Sequence, residues 1–225
     1  MENKGLAYER KIKDILTQGN LLPSSLIAKL MQSENDAGFV HNGKEFFLEL
    51  KNISAPDYGA RQIDYDLTTK NWKWNKTDAM TLLFDRIGIL QKAKSFIPRK
   101  FVKADHELTD DDKRFDRMSF AHKVAEDELD LANLAMTGAN VLHEYYAKKN
   151  CYYIQIEGKG FYHLLKDPAG LGVSQFLPQV VFRLRAKTHG SARISNYSFR
   201  VVITASRGTI ANSNFDLENS QKFPL

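Results

Sequence analysis

One cysteine, Cys151, stands in 225 residues. A single thiol excludes an internal disulfide and any metal site built from clustered cysteines. No apolar run approaches the roughly 20 residues that cross a bilayer, and the opening stretch, "MENKGLAYERK", lacks the apolar core of a secretory signal. The expected location is therefore the cytoplasm, with no membrane partner. The six histidines (His41, His106, His122, His143, His163 and His189) show no zinc spacing. There is no internal repeat and no low-complexity tract. The glycines of "KDPAGLGVSQF" match neither a phosphate-binding loop nor a dinucleotide fingerprint.

Acidic residues are missing where basic ones gather. Between Val180 and Arg207 the chain carries Arg183, Arg185, Lys187, Arg193, Arg200 and Arg207 and no Asp or Glu, whereas acids dominate from Asp105 to Asp130. The net charge of +5 is modest. A basic cluster at one end of an otherwise ordinary globular composition fits a polyanion binder without requiring one.

The hydrophobic pattern predicts a helix over "GLAYERKIKDIL" from the spacing of Tyr8, Ile12, Ile15 and Leu16. A short helix follows through "LIAKLMQ", with Ser24 or Ser25 as its cap. "NISAPDYGARQ" reads as a loop because of its Pro, Gly and polar residues. "TDAMTLLFDRIGILQKAKSF" predicts a helix capped by Thr77 or Asp78 and stopped at Pro98, "LTDDDKRFDRM" starts a further helical stretch, and 119–148 reads as a long helix with Gly138 as a point of interruption, so that 77–149 is a helical region. Beyond Cys151 the segments "CYYIQIEG", "GFYHLL", "QVVFRLRAK" and "ARISNYSFRVVITAS" read as strands. These elements imply an α/β (α+β) chain, with one mixed sheet fed by both halves and a single domain over 1–225.

The most informative stretch is 34–52, "ENDAGFVHNGKEFFLELKN". Asn-Gly between apolar residues is the strongest short-range hairpin signal. If Asn42 and Gly43 form a two-residue loop, His41 pairs with Lys44 and the same register sets Asp36 opposite Glu49. Alternation puts Phe46, Leu48 and Leu50 on one face and Glu49 and Lys51 on the other. Directly opposed like charges are destabilising. They become favourable with a divalent cation between them, and Mg²⁺ takes such oxygen ligands while keeping several waters. Lys51 on the same face suits a role at a phosphate or its attacking water. Taken apart from these surroundings, Glu49 and Lys51 are equally the solvated face of an edge strand.

With Asp36 followed by Glu49-Leu50-Lys51, the hairpin resembles the PD-(D/E)XK nuclease motif. The similarity is to its form in type II restriction endonucleases, where "ND…ELK" is the PvuII-type version. It covers about 20 residues and extends loosely to "KGLAYERKI", similar to the helix bearing a glutamate that often precedes the motif. Asn35 stands where the literal motif has Pro. The resemblance implies a restriction-endonuclease-like central mixed β-sheet flanked by helices, Mg²⁺-dependent cleavage of double-stranded DNA, and commonly a homodimer. Carried over by position, it makes Asp36 and Glu49 metal ligands with the carbonyl of Leu50, Lys51 the catalytic lysine, and Glu9 a possible accessory. The other reading of Glu9 is an exposed helical pair with Lys13.

DNA reading falls to other parts of the chain. The basic hairpin within 151–206 offers Arg183, Arg185 and Lys187 on alternate positions, His189 at its tip and Arg193 beyond. A two-stranded ribbon fits the major groove, and arginine on guanine is the commonest specific contact. Arg61 and Gln62, in the stretch after Lys51, are second candidates. Three functions remain open from the sequence. They are a type II restriction endonuclease, another nuclease of this kind in repair, recombination or mobile-element defence, and a DNA-binding protein without catalysis.

Overall fold

The computed structural model describes residues 4–52, 57–66, 69, 71–93, 128–131, 135–178, 180–187, 198–205 and 210–225. The chain is mixed α/β. It divides into two compact units, one made of Met1–Pro56, Ala139–Gln179 and Ala205–Leu225, the other of Asp57–Gly138 and Val180–Thr204.

In the first unit, helix α1 (Lys4–Gln18) buries Tyr8, Ile12 and Leu16, four residues apart and hence on one stripe. Asn20, at φ 57°, turns the chain out of the helix. Helix α2 (Ser24–Leu30) follows, with Pro23 at its N-cap and no side-chain cap, so neither predicted serine plays that part. Strands β1 (Ala37–His41) and β2 (Lys44–Lys51) form the predicted hairpin. Asn42 and Gly43 take φ values of 48° and 71°, the left-handed pair that a type I′ turn demands. Helix α5 (Ala135–Lys148), continuous through Gly138, leads into β6 (Cys151–Ile156) and β7 (Gly160–His163).

These strands make a four-stranded mixed sheet in the order β1-β2-β6-β7. The hairpin is antiparallel, β2 and β6 are parallel, and β6 and β7 are antiparallel. Helices α1 and α2 cover one face. There Leu26, Phe39, Phe46, Leu48, Leu50, Tyr153 and Phe161 join the stripe of α1 in one core. Each fully buried Leu or Phe contributes roughly 1.5–3 kcal/mol. The last segment of the chain lies along β7. Phe161 N donates to Phe215 O (2.8 Å), Ser213 N to Lys159 O (2.8 Å), and Leu217 N to the Gln155 side chain (3.2 Å). These bonds cover a strand edge that would otherwise present open backbone groups.

The second unit holds β3 (Asp57–Asp66), β4 (Asn71–Trp74), α3 (Ala79–Arg86), α4 (Ile89–Ala93), β5 (Glu128–Leu131), β8 (Val180–Lys187) and β9 (Ser198–Ala205). Its five strands run β4-β3-β9-β8-β5. Asp78 caps α3 in a capping box with Thr81. Gly88, at φ 73°, separates α3 from α4, splitting the single helix expected here.

Three further expectations are corrected. The strands form two sheets, not one. "DYGARQIDYD" is a ten-residue strand, not a loop, because β4 and β9 satisfy its backbone on both sides and thereby override its polar composition. The region 77–149 is not helical throughout, since 128–131 is a strand paired with β8. The expected helix over "LTDDDKRFDRM" and the stop at Pro98 lie outside the described residues. Among the described residues no helix is long and apolar enough to cross a membrane.

Candidate active site

The register predicted from the Asn-Gly turn holds along the whole hairpin, from His41↔Lys44 to Ala37↔Leu48. Pairing ends one step short of Asp36 and Glu49. Instead of lying in the ladder opposite Glu49, Asp36 turns its carboxylate onto the hairpin, where Oδ2 accepts the backbone N–H of Leu50 at 2.9 Å. Leu50 itself is buried in the core.

On the other face Lys51 reaches back to both acids. Its Nζ is 2.5 Å from Glu49 Oε1 and 3.9 Å from Asp36 Oδ2. Glu49 is only 6% exposed. Its second oxygen, Oε2, is buried and has no hydrogen-bond partner. Burial, then the charge of Glu49, push the Asp36 carboxyl up to about 7, against the opposing pull of Lys51 and the Leu50 N–H. Burial disfavours the charge on Lys51, but Glu49, Asp36 and Glu9 outweigh it and raise its pKa above the usual ammonium value. Lys51 is therefore a cation here, not a base.

Helix α5 and the start of β6 form further surroundings of the acids. Tyr146 is buried, and its phenol is pushed up by burial and then by the charge of Glu49. Burial and Glu49 raise the Cys151 thiol in the same way. Lys149, 3.9 Å from Glu34, lies over the rings of Tyr145 and Tyr146. None of these residues was expected at the site from sequence, where no spacing ties α5 to the hairpin.

A cavity of about 530 Å³ is lined by α1, α2 and the approach to β1, with Glu9, Lys13, Asn35 and Asp36 in its wall but neither Glu49 nor Lys51. Glu9 pairs with Lys13 at 3.7 Å, as the plainer reading of it expects. Its charge still acts on Asp36 and Lys51. The structure thus brings together Asp36, Glu49, Leu50 and Lys51, with Glu9 as an electrostatic neighbour.

The donor set suits a hard cation. It offers two carboxylates, one of them with a buried oxygen that has no partner, in keeping with the one or two carboxylates that Mg²⁺ usually takes. Among the described residues, no group of three or more His, Cys, Asp or Glu side chains is arranged to hold a metal ion. A cation here would thus rely on two acids, backbone and water.

The residues expected to read DNA belong to the second unit. Arg61 and Gln62 lie within β3, and Arg61 Nε is 2.6 Å from Asp78 Oδ2 at the cap of α3. Arg183, Arg185 and Lys187 lie in β8, adjacent to β9 as expected. The register adds what the linear sequence hid, since Asp130 opposes Arg183 and Glu128 opposes Arg185. The arginines free of acids along the chain therefore have acids across the ladder. His189 and Arg193 lie outside the described residues.

No protein-family model, curated protein or solved structure matches this chain.

Proposed function

We propose that this chain is a Mg²⁺-dependent nuclease of the PD-(D/E)XK kind, with a restriction-endonuclease-like fold, that cuts double-stranded DNA at specific sites. The observation that carries the reading is the cluster of Asp36, Glu49 and Lys51, in which Glu49 is buried and keeps one carboxylate oxygen without a partner. Unmet buried acids are costly for a fold to keep. They are useful where a divalent cation and a phosphate are to be held, and strongly perturbed carboxylates gather at such sites.

In this reading Asp36 and Glu49 hold the metal, which when bound supplies a Lewis acid and lowers the pKa of water. The Leu50 N–H fixes the direction of Asp36. Lys51, protonated, stabilises the negative charge that grows on the phosphate oxygens and the leaving group. The β8 arginines contact the DNA, arginine on guanine being the commonest specific base contact, and two chains acting together would cut both strands.

The test is digestion of plasmid DNA with Mg²⁺. Discrete bands that vanish for Asp36→Ala, Glu49→Ala and Lys51→Ala, with DNA binding retained, support the reading. Wild-type cleavage by Glu49→Ala would overturn the site, and nicking or a smear would favour a nuclease without site specificity. For recognition, Arg185→Ala should weaken specific binding more than non-specific binding. A uniform loss would instead mark a phosphate contact.

A further inference from the structure

We propose that Asn35 is a positioning residue for the metal, its Oδ1 accepting a hydrogen bond from a water on the cation held by Asp36 and Glu49. The inference rests on the metal-site reading above.

Two donors of Asn35 are already committed, its backbone N–H and its side-chain Nδ2. Asn35 N donates to Ser33 Oγ at 3.2 Å, and Nδ2 donates to the carbonyl of Lys149 at 3.3 Å. The second bond settles the orientation of the amide, because a carbonyl accepts only from the nitrogen end. The oxygen end is then left buried without a hydrogen-bond partner. An unmet buried acceptor forfeits its hydration without recompense, and such groups in native folds call for a ligand, a water or an ion. Asn35 immediately precedes Asp36 and lines the same cavity as Asp36 and Glu9.

The chemistry needed there is a donor. Both nearby ammonium groups have carboxylate partners, Lys51 with Glu49 and Lys149 with Glu34. Waters on a hard divalent cation are strong donors, and Mg²⁺ keeps several of them. The residue type also fits. A third carboxylate beside Asp36 and Glu49 would add to a repulsion that already raises Asp36, whereas a neutral amide oxygen accepts without adding charge. A proline at this position would bring neither the acceptor nor the anchor to Lys149.

A purely structural role would use only Nδ2, tying the approach to β1 to the end of α5. Two variants separate the roles. Asn35→Ala removes anchor and acceptor, while Asn35→Asp removes the anchor and keeps an acceptor. Binding of Mn²⁺ alone, counted by electron paramagnetic resonance without DNA and competed with Mg²⁺, gives a readout independent of cleavage. Removal of an outer hydrogen-bond partner typically weakens metal binding about 10–100-fold, and that loss is expected for Asn35→Ala but not for Asn35→Asp. Thermal stability should fall in both.

Affinity within twofold of wild type for Asn35→Ala would overturn the proposal, as would an equal loss in both variants. If Asn35→Ala does not fold, Asn35→Asp decides, with affinity at or above wild type in support and a tenfold loss against. Glu49→Ala separates the two levels. If it binds Mn²⁺ as wild type does, the metal site itself is wrong. If it loses the ion while Asn35→Ala keeps it, only the role of Asn35 falls.

Discussion

Lys51 Nζ lies 2.5 Å from Oε1 of Glu49 and 3.9 Å from Oδ2 of Asp36, so one ammonium is shared unequally between two acids. It supplies the positive charge that keeps a crowded carboxylate pair tolerable. Removing it leaves buried acids uncompensated, which costs about 3–5 kcal/mol for a buried pair. Lys51→Met should therefore unfold at lower urea than wild type in metal-free buffer, more so at high pH, where the acids cannot take up protons. Added Mg²⁺ should recover part of the loss. A drop under about 1 kcal/mol would show that the ammonium does not hold the cluster.

Asp36 gives the opposite result. Its carboxyl is raised to about 7 in the fold, against about 3.9 in an unfolded chain. Below both values it is protonated in either state and carries no penalty. As pH climbs from about 4 to about 7, the unfolded chain ionises first and native stability declines. Three pKa units correspond to at most about 4 kcal/mol. Asp36→Asn should gain stability relative to wild type between pH 5 and pH 8 without metal. Parallel stability curves for the two proteins would refute the shift.

Two histidines, His143 buried and His163 partly buried, work in the other direction. Burial lowers both His143, whose Nε2 is 2.8 Å from Phe176 O, and His163, whose Nδ1 has no partner. The fold disfavours their charged forms, so stability is full above about 6.5 and falls as the unfolded chain takes up protons below it. His143→Gln should flatten that acid limb, by up to about 1.4 kcal/mol per pH unit for one proton. Chemical denaturation at pH 5 and 7 checks it, and an unchanged slope would count against the pair.

Two glycines of the hairpin should differ in what they disturb. A Cβ on Gly43 meets nothing within 4 Å, so Gly43→Ala adds only the strain of its positive φ, about 1 kcal/mol. Cleavage should survive. A Cβ on Gly38 would come 2.9 Å from the Phe46 carbonyl and 3.2 Å from Leu26. Gly38→Ala should cost about 1–3 kcal/mol as an overpacked site, and shift Asp36 two residues away. Cleavage measured under folding conditions should fall for Gly38→Ala alone.

The hairpin was legible because an Asn-Gly turn fixes register locally, and register then fixes which side chains share a face. The same information did not reach β3. Its Gly, Asp and Arg look like loop residues, and only its partners β4 and β9, remote in the chain, make it a strand. "ELDL" does alternate, but four residues within a helical-looking stretch are too few to stand out. The acids opposite Arg183 and Arg185 were invisible for the same reason, since charge read along a chain says nothing of charge across a ladder. Tyr146 and the Lys149 carbonyl reach the site through packing of α5, to which no spacing in the sequence corresponds. Asn35 was visible only as a departure from a motif, and its unpartnered oxygen needed the structure.

The segment along β7 also bears on the order of assembly. Tyr8 donates to Glu218 at 3.1 Å across 210 positions of sequence, and β2 lies beside β6 only after the second unit's first stretch has been made. Contacts of such separation must overcome loop-closure entropy before any packing rewards them, and they slow folding. The β1-β2 hairpin can close its turn early and alone, yet the sheet that buries Glu49 waits for residues from the far end. Folding should thus run from a fast local hairpin to a slow, late closure, and the acids would meet their full burial only in that last step.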